Sequence, residues 1–454
     1  MKVVKFGGSS LSSGEQLKKV YQIVTSDPER KIVVVSAPGK RSPEDTKVTD
    51  LLIQCGDSYL KNGHCGDEAE VLIERYASIA RDLELPQHVM EEIRSNIKEV
   101  LESDRTDAEK YMDTVKASGE DNHAKLIAAY FNKMGSKATY VNPQDAGLYV
   151  SDEPGNAQVL PTSYESLLKL RDYEGIVIFP GFFGYTKEGK IATFSRSGSD
   201  ITGSILANGT KAKVYENFTD VDAVYSVNPT IVNQPKEIKE LTYREMRELS
   251  YAGFSVFHDE ALIPAFRAGI PVNVKNTNNP SAPGTLIVNE RENTNGPVIG
   301  IASDKGFCSI YISKYLMNRE LGFGRKLLQI LEEHGISYEH VPSGIDDITV
   351  IIRESQMNSK DEALIVERIY DELHADNVKV ERNLAMLMIV GEGMRQNIGT
   401  TARASKALAN AGVNIEMINQ GSSEVSMMFG VKGSNEHKAV EALYNEFFVP
   451  VAAL

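Results

Sequence analysis

Val3-Val4-Lys5-Phe6-Gly7-Gly8-Ser9-Ser10 reads as a short strand, Val3 to Phe6, running into a double-glycine turn. Helical spacing follows over Gln16–Thr25, with Leu17, Val20, Tyr21 and Val24 on one stripe. The next apolar run, Ile32-Val33-Val34-Val35, ends at Ser36-Ala37-Pro38-Gly39. A continuous Val/Ile run with a polar loop at its carboxyl end marks a strand buried on both faces of a parallel sheet. Working outward, Thr49–Tyr130 reads mostly as helix, Thr139–Val141 and Gly175–Pro180 as strands, and Phe183–Thr193 as two short strands around a polar turn. Beyond it, Ala212–Phe218 and Pro271–Asn276 read as strands, and Asp200–Ala207, Tyr243–Tyr251 and Glu260–Ala268 as helices. Strands alternating with helices predict an α/β domain with a mainly parallel sheet.

The 454 residues allow about three domains. Hydrophobic residues make up 41% and charged residues 25%, a globular composition that excludes disordered and fibrous classes. The 49 Lys+Arg face 63 Asp+Glu, a net charge of −14 that repels phosphate backbones, so nucleic acid is not an expected partner. Cys55, Cys65 and Cys308 are scattered thiols without metal-ligand spacing, suited to a reducing compartment. No apolar run has the length of a membrane span, and the first residues lack the apolar region of a signal peptide. The expectation is a soluble, cytoplasmic protein with no membrane partner.

Residues 289–298 are polar and turn-rich and read as a linker. After them the chain repeats itself. Residues 325–352 overlay residues 402–429 without a gap: Leu331 meets Leu408, Gly335 meets Gly412, Ile336 meets Val413, Glu339 meets Glu416 and Gly344 meets Gly421. With strands expected at Phe307–Ile312 and Ala385–Val390 and helices at Lys360–His374 and Glu436–Glu446, each copy follows the βαββαβ order of ferredoxin-like modules. The expected division is 1–288, a linker at 289–298, a first module at 299–380 and a second at 381–454.

Several segments carry chemistry. Gly184-Tyr185-Thr186-Lys187-Glu188-Gly189-Lys190 has the GxxxxGK spacing, but Ile191 follows where a hydroxyl residue is needed, so it reads as a hairpin turn. Gly7-Gly8 after a buried strand can turn backbone N–H groups toward an anion, with Lys5 at the strand end; a plain βα turn with a solvated lysine is the alternative. Thr193-Phe194-Ser195-Arg196-Ser197-Gly198-Ser199-Asp200 gathers small hydroxyls, a glycine, a planar guanidinium and a carboxylate, which suits a small-anion site. Asp200 can equally be a helix N-cap, and Glu120 a first-turn carboxylate of a helix starting there. Lys5–Ser10, Ser36–Gly39, Arg196–Asp200 and Thr219–Tyr225 all fall at carboxyl ends of strands, where parallel sheets gather ligands.

Taken together, Lys5-Phe6-Gly7-Gly8-Ser9-Ser10, Val35-Ser36-Ala37, Thr49-Asp50-Leu51-Leu52, Ser118-Gly119-Glu120, Ser195–Asp200 and Phe218–Tyr225 resemble the aspartokinase family over nearly the whole chain. Tyr338-Glu339-His340-Val341-Pro342-Ser343-Gly344-Ile345-Asp346-Asp347 is similar to monofunctional members from Gram-positive bacteria. The resemblance implies an αβα sandwich of the amino-acid-kinase (carbamate-kinase-like) type followed by two ACT modules. It implies phosphoryl transfer from ATP, with the Mg2+ it carries, to the β-carboxylate of L-aspartate, the entry to lysine, threonine and methionine synthesis. Lys5 and Asp200 match the catalytic pair. Gly7, Gly8 and Ser9 match the phosphate loop, and Thr219, Asp220 and Tyr225 the nucleotide pocket. Ser36, Thr49, Glu120, Arg196, Ser197, Gly198 and Ser199 match the aspartate pocket. No protein-held metal is implied. Homodimers or tetramers through the ACT modules are implied, with feedback by lysine or by threonine. Phe323, Gly324, Glu339, Asp346 and Asp347 of the first repeat are the candidate effector residues, its turn being more acidic than Glu416, Ser423 and Glu424 of the second.

Two departures stand out. Asn228-Pro229-Thr230 replaces an Asp-Pro-Arg, and Gly253-Phe254-Ser255-Val256-Phe257-His258 lacks the lysine usual at Ser255. Lys213 or Lys275 is a candidate replacement. Another amino-acid kinase, such as a glutamate kinase, or a non-catalytic ACT sensor are the competing readings.

Overall fold

The computed structural model describes residues 1–195, 197–254, 257, 260–291, 296–421 and 425–450. Two units divide the chain. The first takes Met1–Val224, Glu237–Arg247 and Ser255–Arg291; the second takes Tyr225–Lys236, Glu248–Phe254 and Glu292–Leu454.

The first unit is built on eight strands: β1 (Lys2–Phe6), β2 (Arg30–Val35), β3 (Ala138–Tyr140), β4 (Ile176–Pro180), β5 (Tyr215–Thr219), β6 (Glu240–Thr242), β7 (Val272–Asn276) and β8 (Thr285–Val288). Their order is β6-β8-β7-β5-β1-β2-β4-β3, parallel throughout except β7 with β8. β1 shows why the apolar runs were continuous. Val4 and Phe6 belong to the core formed with helices α1 (Gly14–Thr25), α2 (Val48–Asn62), α3 (Glu68–Asp82), α4 (Gln87–Leu101) and α5 (Ala108–Lys133). Val3 and Lys5 face the opposite side, where α6 (Gly198–Gly209) lies. Helices cover both faces, as an αβα sandwich requires. β6 and β8 were not legible in sequence, and the strand expected from Ala212 begins at Tyr215.

The second unit carries one five-stranded antiparallel sheet: β9 (Gly300–Ser313), β10 (Asp347–Arg353), β11 (Asn377–Val390), β12 (Met417–Asn419) and β13 (Ser426–Lys432), in the order β10-β9-β11-β13-β12. Two helix pairs lie against it. α7 (Phe323–Glu333) and α8 (Ser359–Leu373) share a core with Cys308, Ile310, Ile312, Val350 and Ile352. α9 (Thr400–Asn410) and α10 (Glu436–Phe448) share another with Ile301, Leu387, Ile389, Phe429 and Val431.

The repeat has a physical basis. Gly335 and Gly412 both end helices at positive φ, 69° and 64°, and Gly322 and Gly399 both precede helices at 79° and 89°. The sheet, however, crosses the boundary drawn at 380/381. β9 and β11 are continuous fourteen-residue strands paired along their length, with a register break around Lys305–Ser309 opposite Glu381–Leu384. Residues 300–305 pair with 385–390 and join the second core, so the first repeat is nested within the second; ahead of Asp347, where its βαββαβ order predicts a strand, only isolated bridges at His340 and Ser343 form. The 1–288 boundary is crossed too. Val227, Ile231 and Val232 pack in that second core, and Ile301 N–H donates to Ser226 C=O at 2.7 Å. Of the linker 289–298, residues 292–295 lie outside the described residues.

Candidate active site

β1, β2 and β5 end in register, Phe6 beside both Val35 and Phe218, so the loops that follow them emerge side by side. This is the carboxyl edge of the sheet. Lys5, one residue before that edge, stands opposite Asn217 and points toward α6. Its Nζ lies 2.7 Å from Oδ1 of Asp200, and Asn217 Nδ2 donates to the same oxygen at 2.6 Å. Lys5 and Asp200 are only 7% and 8% exposed. A buried ion pair is a poor stabiliser compared with apolar packing, so its presence at a strand edge points to chemistry. Asp200 is the third residue of α6 rather than its cap: Ser197 holds the N-cap position in left-handed backbone at φ 64°. Gly203 lets this helix lie on the Tyr215 ring, where a Cβ would stand 2.5 Å from the hydroxyl.

The glycines hold the loops together. A Cβ on Gly8 would stand 3.1 Å from Ala37 C=O, and one on Gly39 would stand 2.4 Å from the Gly8 carbonyl carbon. Gly39 N–H donates to Gly8 C=O at 2.8 Å, so the two loops touch backbone to backbone. Gly7 N–H is committed to Phe218 C=O at 3.1 Å. A Cβ on Gly7 would approach Lys5 Nζ to 3.5 Å, so glycine keeps the space beside the ammonium open.

Glu120 is not at a helix start. It lies in the middle of α5, which runs unbroken through Ser118-Gly119 because Gly119 is needed for packing: a Cβ there would meet Leu52 at 3.0 Å and Ala37 at 3.1 Å. The Glu120 carboxyl is buried, faces the Ala37 N–H, and leaves Oε2 without a partner among the described residues. Burial pushes it up to about 8, against the hydrogen bonds that favour the anion. Ser36 and Thr49, both half-buried, occupy the loop after β2 and the second residue of α2. Ser199 is buried against the Gly181 backbone, and a Cβ on Gly198 would stand 2.5 Å from the Phe182 ring. Arg196 lies outside the described residues.

Thr219 closes β5, and its hydroxyl donates to Asp220 at 3.2 Å. Tyr225 falls in the second unit. The two candidate replacement lysines are placed elsewhere. Lys213 pairs with Glu29 at 2.9 Å, and its N–H donates to Met1 C=O, at the amino edge of the sheet. Lys275 stands opposite Phe218 on the face away from Lys5, with Nζ donating to Ala282 C=O at 2.8 Å. Ser255 and His258 lie outside the described residues.

Among the effector candidates, Phe323 is a core residue with the Lys314 ammonium over its ring at 5.5 Å. A Cβ on Gly324 would meet open space. Asp346 accepts from Leu316 N–H at 2.8 Å, and Asp347 pairs in register with Ser313. Glu339 instead binds Arg353 at 3.3 Å and the Tyr251 hydroxyl, and its N–H donates to Ile351. Ile351 lies four positions beyond Asp347 along the strand, about 13 Å, so the three acids do not form one cluster. Ser423 and Glu424 lie outside the described residues. Asn217 and His123 were missed. Asn217 was legible as one of two polar residues, with Glu216, between Tyr215 and Phe218 of a strand, His123 as a histidine one turn from Glu120.

The amino acid kinase family model matches residues 1–276, and an ACT domain model matches 387–447. Aspartokinase 3 of Bacillus subtilis is 70% identical over 451 residues, 99% of each chain. The chain belongs to the aspartokinase family. The crystal structure of aspartate kinase from Clostridium acetobutylicum, 38% identical, superposes with a TM-score of 0.87 over 98% of this chain and 100% of that one. Escherichia coli aspartokinase III in complex with lysine and aspartate, in its T-state, is 25% identical with a TM-score of 0.80 over 99% of both. As an aspartokinase the chain phosphorylates aspartate from ATP. Among the described residues no helix is long and apolar enough to cross a membrane, and no His/Cys/Asp/Glu group could hold a metal ion.

Proposed function

We propose that this aspartokinase moves the γ-phosphoryl of MgATP onto the β-carboxylate of L-aspartate, giving 4-phospho-aspartate, with the residues around Lys5 as its machinery. The observation that carries the reading is the buried Lys5–Asp200–Asn217 set at the convergence of three strand ends, two of them followed by glycine turns. A carboxylate is already nucleophilic at neutral pH, so the reaction needs position and charge neutralisation rather than a base. Lys5 supplies the cation at the transferring phosphoryl, and Asp200 with Asn217 holds its ammonium in place. Gly8 and Ser9 N–H groups cradle phosphate oxygens. Ser36, Thr49, Arg196 and the Ser197–Ser199 turn hold aspartate, with Arg196 gripping a carboxylate and Glu120 facing the ammonium. Thr219, Asp220 and Tyr225 serve the nucleotide.

The halves of the second unit are two ACT modules, nested rather than consecutive. They regulate the enzyme through lysine, as the lysine-bound T-state relative suggests, with threonine the second candidate. Tyr315, Leu316, Leu321 and Ile345 are exposed around one turn of the first half, with Leu321 95% exposed. Such a patch supports a homodimer, or a tetramer built from it, formed there. Acyl-phosphate trapped as hydroxamate, with aspartate, glutamate or no acceptor, tests the reaction. Formation with aspartate alone is expected, and equal rates with glutamate refute the proposed pocket.

A further inference from the structure

His123 is fully buried and plays no part in the reaction as described. It lies three residues after Glu120 on α5, so the two side chains leave the same face of the helix one turn apart. His123 Nδ1 is 2.8 Å from the Ser36 carbonyl oxygen, and the Ala37 N–H, the other polar atom of that same amide, faces the Glu120 carboxyl and favours its anion. The amide sits just beyond the end of the strand ladder. β2 pairs with both neighbours as far as Val35, whose carbonyl still receives Gly181 N–H at 2.9 Å, and the ladder stops there. The Ser36 carbonyl is the first beyond it, and a buried carbonyl needs a donor.

We infer that His123 is a positioning residue for the aspartate pocket, fixing the Ser36–Ala37 peptide through its Nδ1–H. A carbonyl can only accept, so the proton must sit on Nδ1, leaving Nε2 with a lone pair; Nε2 has no partner among the described residues. Burial holds the ring down at about 4, so it stays neutral across the physiological range. The groups facing it agree with this. Tyr76 meets the ring edge-on at 6.2 Å and donates its hydroxyl to Gly119 C=O at 2.8 Å, and Arg75 repels an imidazolium. Arg75 also secures the far end of the same loop, donating to Gly39 C=O at 2.7 Å and pairing with Asp45 at 2.9 Å. The loop bearing Ser36 is thus fixed at both ends by side chains from the helical layer. The inference rests on the proposal that this loop holds aspartate.

Two experiments test it. Nitrogen NMR of the histidine ring in the full-length wild type reads the tautomer directly, whatever any variant does. The expected result is protonated Nδ1 and bare Nε2, with no titration between pH 5 and 8; a proton on Nε2 overturns the inference. Steady-state kinetics of His123→Leu and His123→Asn read the consequence. Losing one buried hydrogen bond should raise the aspartate KM about tenfold, with the ATP KM changed less than about twofold. Asparagine, whose amide NH2 can take the place of Nδ1–H, should recover most of the loss. An unchanged aspartate KM in folded His123→Leu overturns the role of His123. If Glu120→Gln is equally silent, the aspartate pocket itself is misplaced, and the two failures are thereby told apart.

Discussion

Glu120→Gln replaces a buried carboxyl with an amide of the same shape, and the consequence can be worked through. In the folded chain burial raises Glu120 from its ordinary 4.5 to about 8. Between those values the native state keeps a proton that the unfolded chain has released. The contribution to stability is therefore full below pH 4.5 and is lost as pH rises toward 8. At about 1.4 kcal/mol per pH unit, the span amounts to roughly 5 kcal/mol by pH 8, an upper figure because water entering the site would lessen it. Glutamine cannot ionise and carries no such slope. Thermal unfolding of both proteins, without substrates, from pH 5 to pH 9 is the assay. Near pH 5 the two melting temperatures should nearly coincide; by pH 8.5 the variant should lead by on the order of 5 °C. Curves that stay parallel across the whole range would show that Glu120 is ionised or solvated in the native state, and the reasoning fails. The same proton bears on the substrate. If Glu120 meets the aspartate ammonium as an anion, aspartate binding below pH 8 must release a proton, and the aspartate KM of the wild type should fall as pH rises from 6 to 8. Calorimetry in buffers of different ionisation enthalpy measures that release; none at pH 7 would remove Glu120 from the ammonium.

Lys5→Ala takes away the cation at the phosphoryl and leaves Asp200 with Asn217 alone, so kcat should drop by about 10² or more in a protein that still folds; near-normal turnover refutes the site. Gly39→Ala forces a Cβ to within 2.4 Å of the Gly8 backbone, so kcat/KM should fall and the melting temperature drop together, whereas Gly155→Ala, at φ 72° with nothing within 4 Å, should cost only modest stability and leave kinetics intact. Asp346→Ala frees the Leu316 N–H that it now accepts, and should raise the lysine concentration needed for inhibition while uninhibited kcat stays near wild type; a wild-type enzyme indifferent to millimolar lysine refutes the effector assignment.

Local chemistry was legible in the amino-acid order. Ile32–Val35 reads as a doubly buried strand, because that run leaves no polar side for water. The glycine turns pointed to one sheet edge, and the constant offset of the repeats set Gly335 against Gly412, which share a left-handed backbone. What tertiary structure alone decided was which distant groups meet. Lys5 finds Asp200 and Asn217 through strand register and helix packing, which no local pattern encodes. Glu120 reads as a helix start beside Ser-Gly, yet α5 continues because Leu52 and Ala37 occupy the space a side chain would need. The nesting of the two halves follows from β9 pairing along its whole length with β11, whose partners stand from 64 residues apart at Ser313–Asn377 to 90 at Gly300–Val390. Lys213 and Lys275 sit on suitable strands by sequence, but one projects at the wrong end of the sheet and the other from the wrong face. Periodicity is a property of neighbours along the chain; a site is made of neighbours in space, and register and packing connect the two.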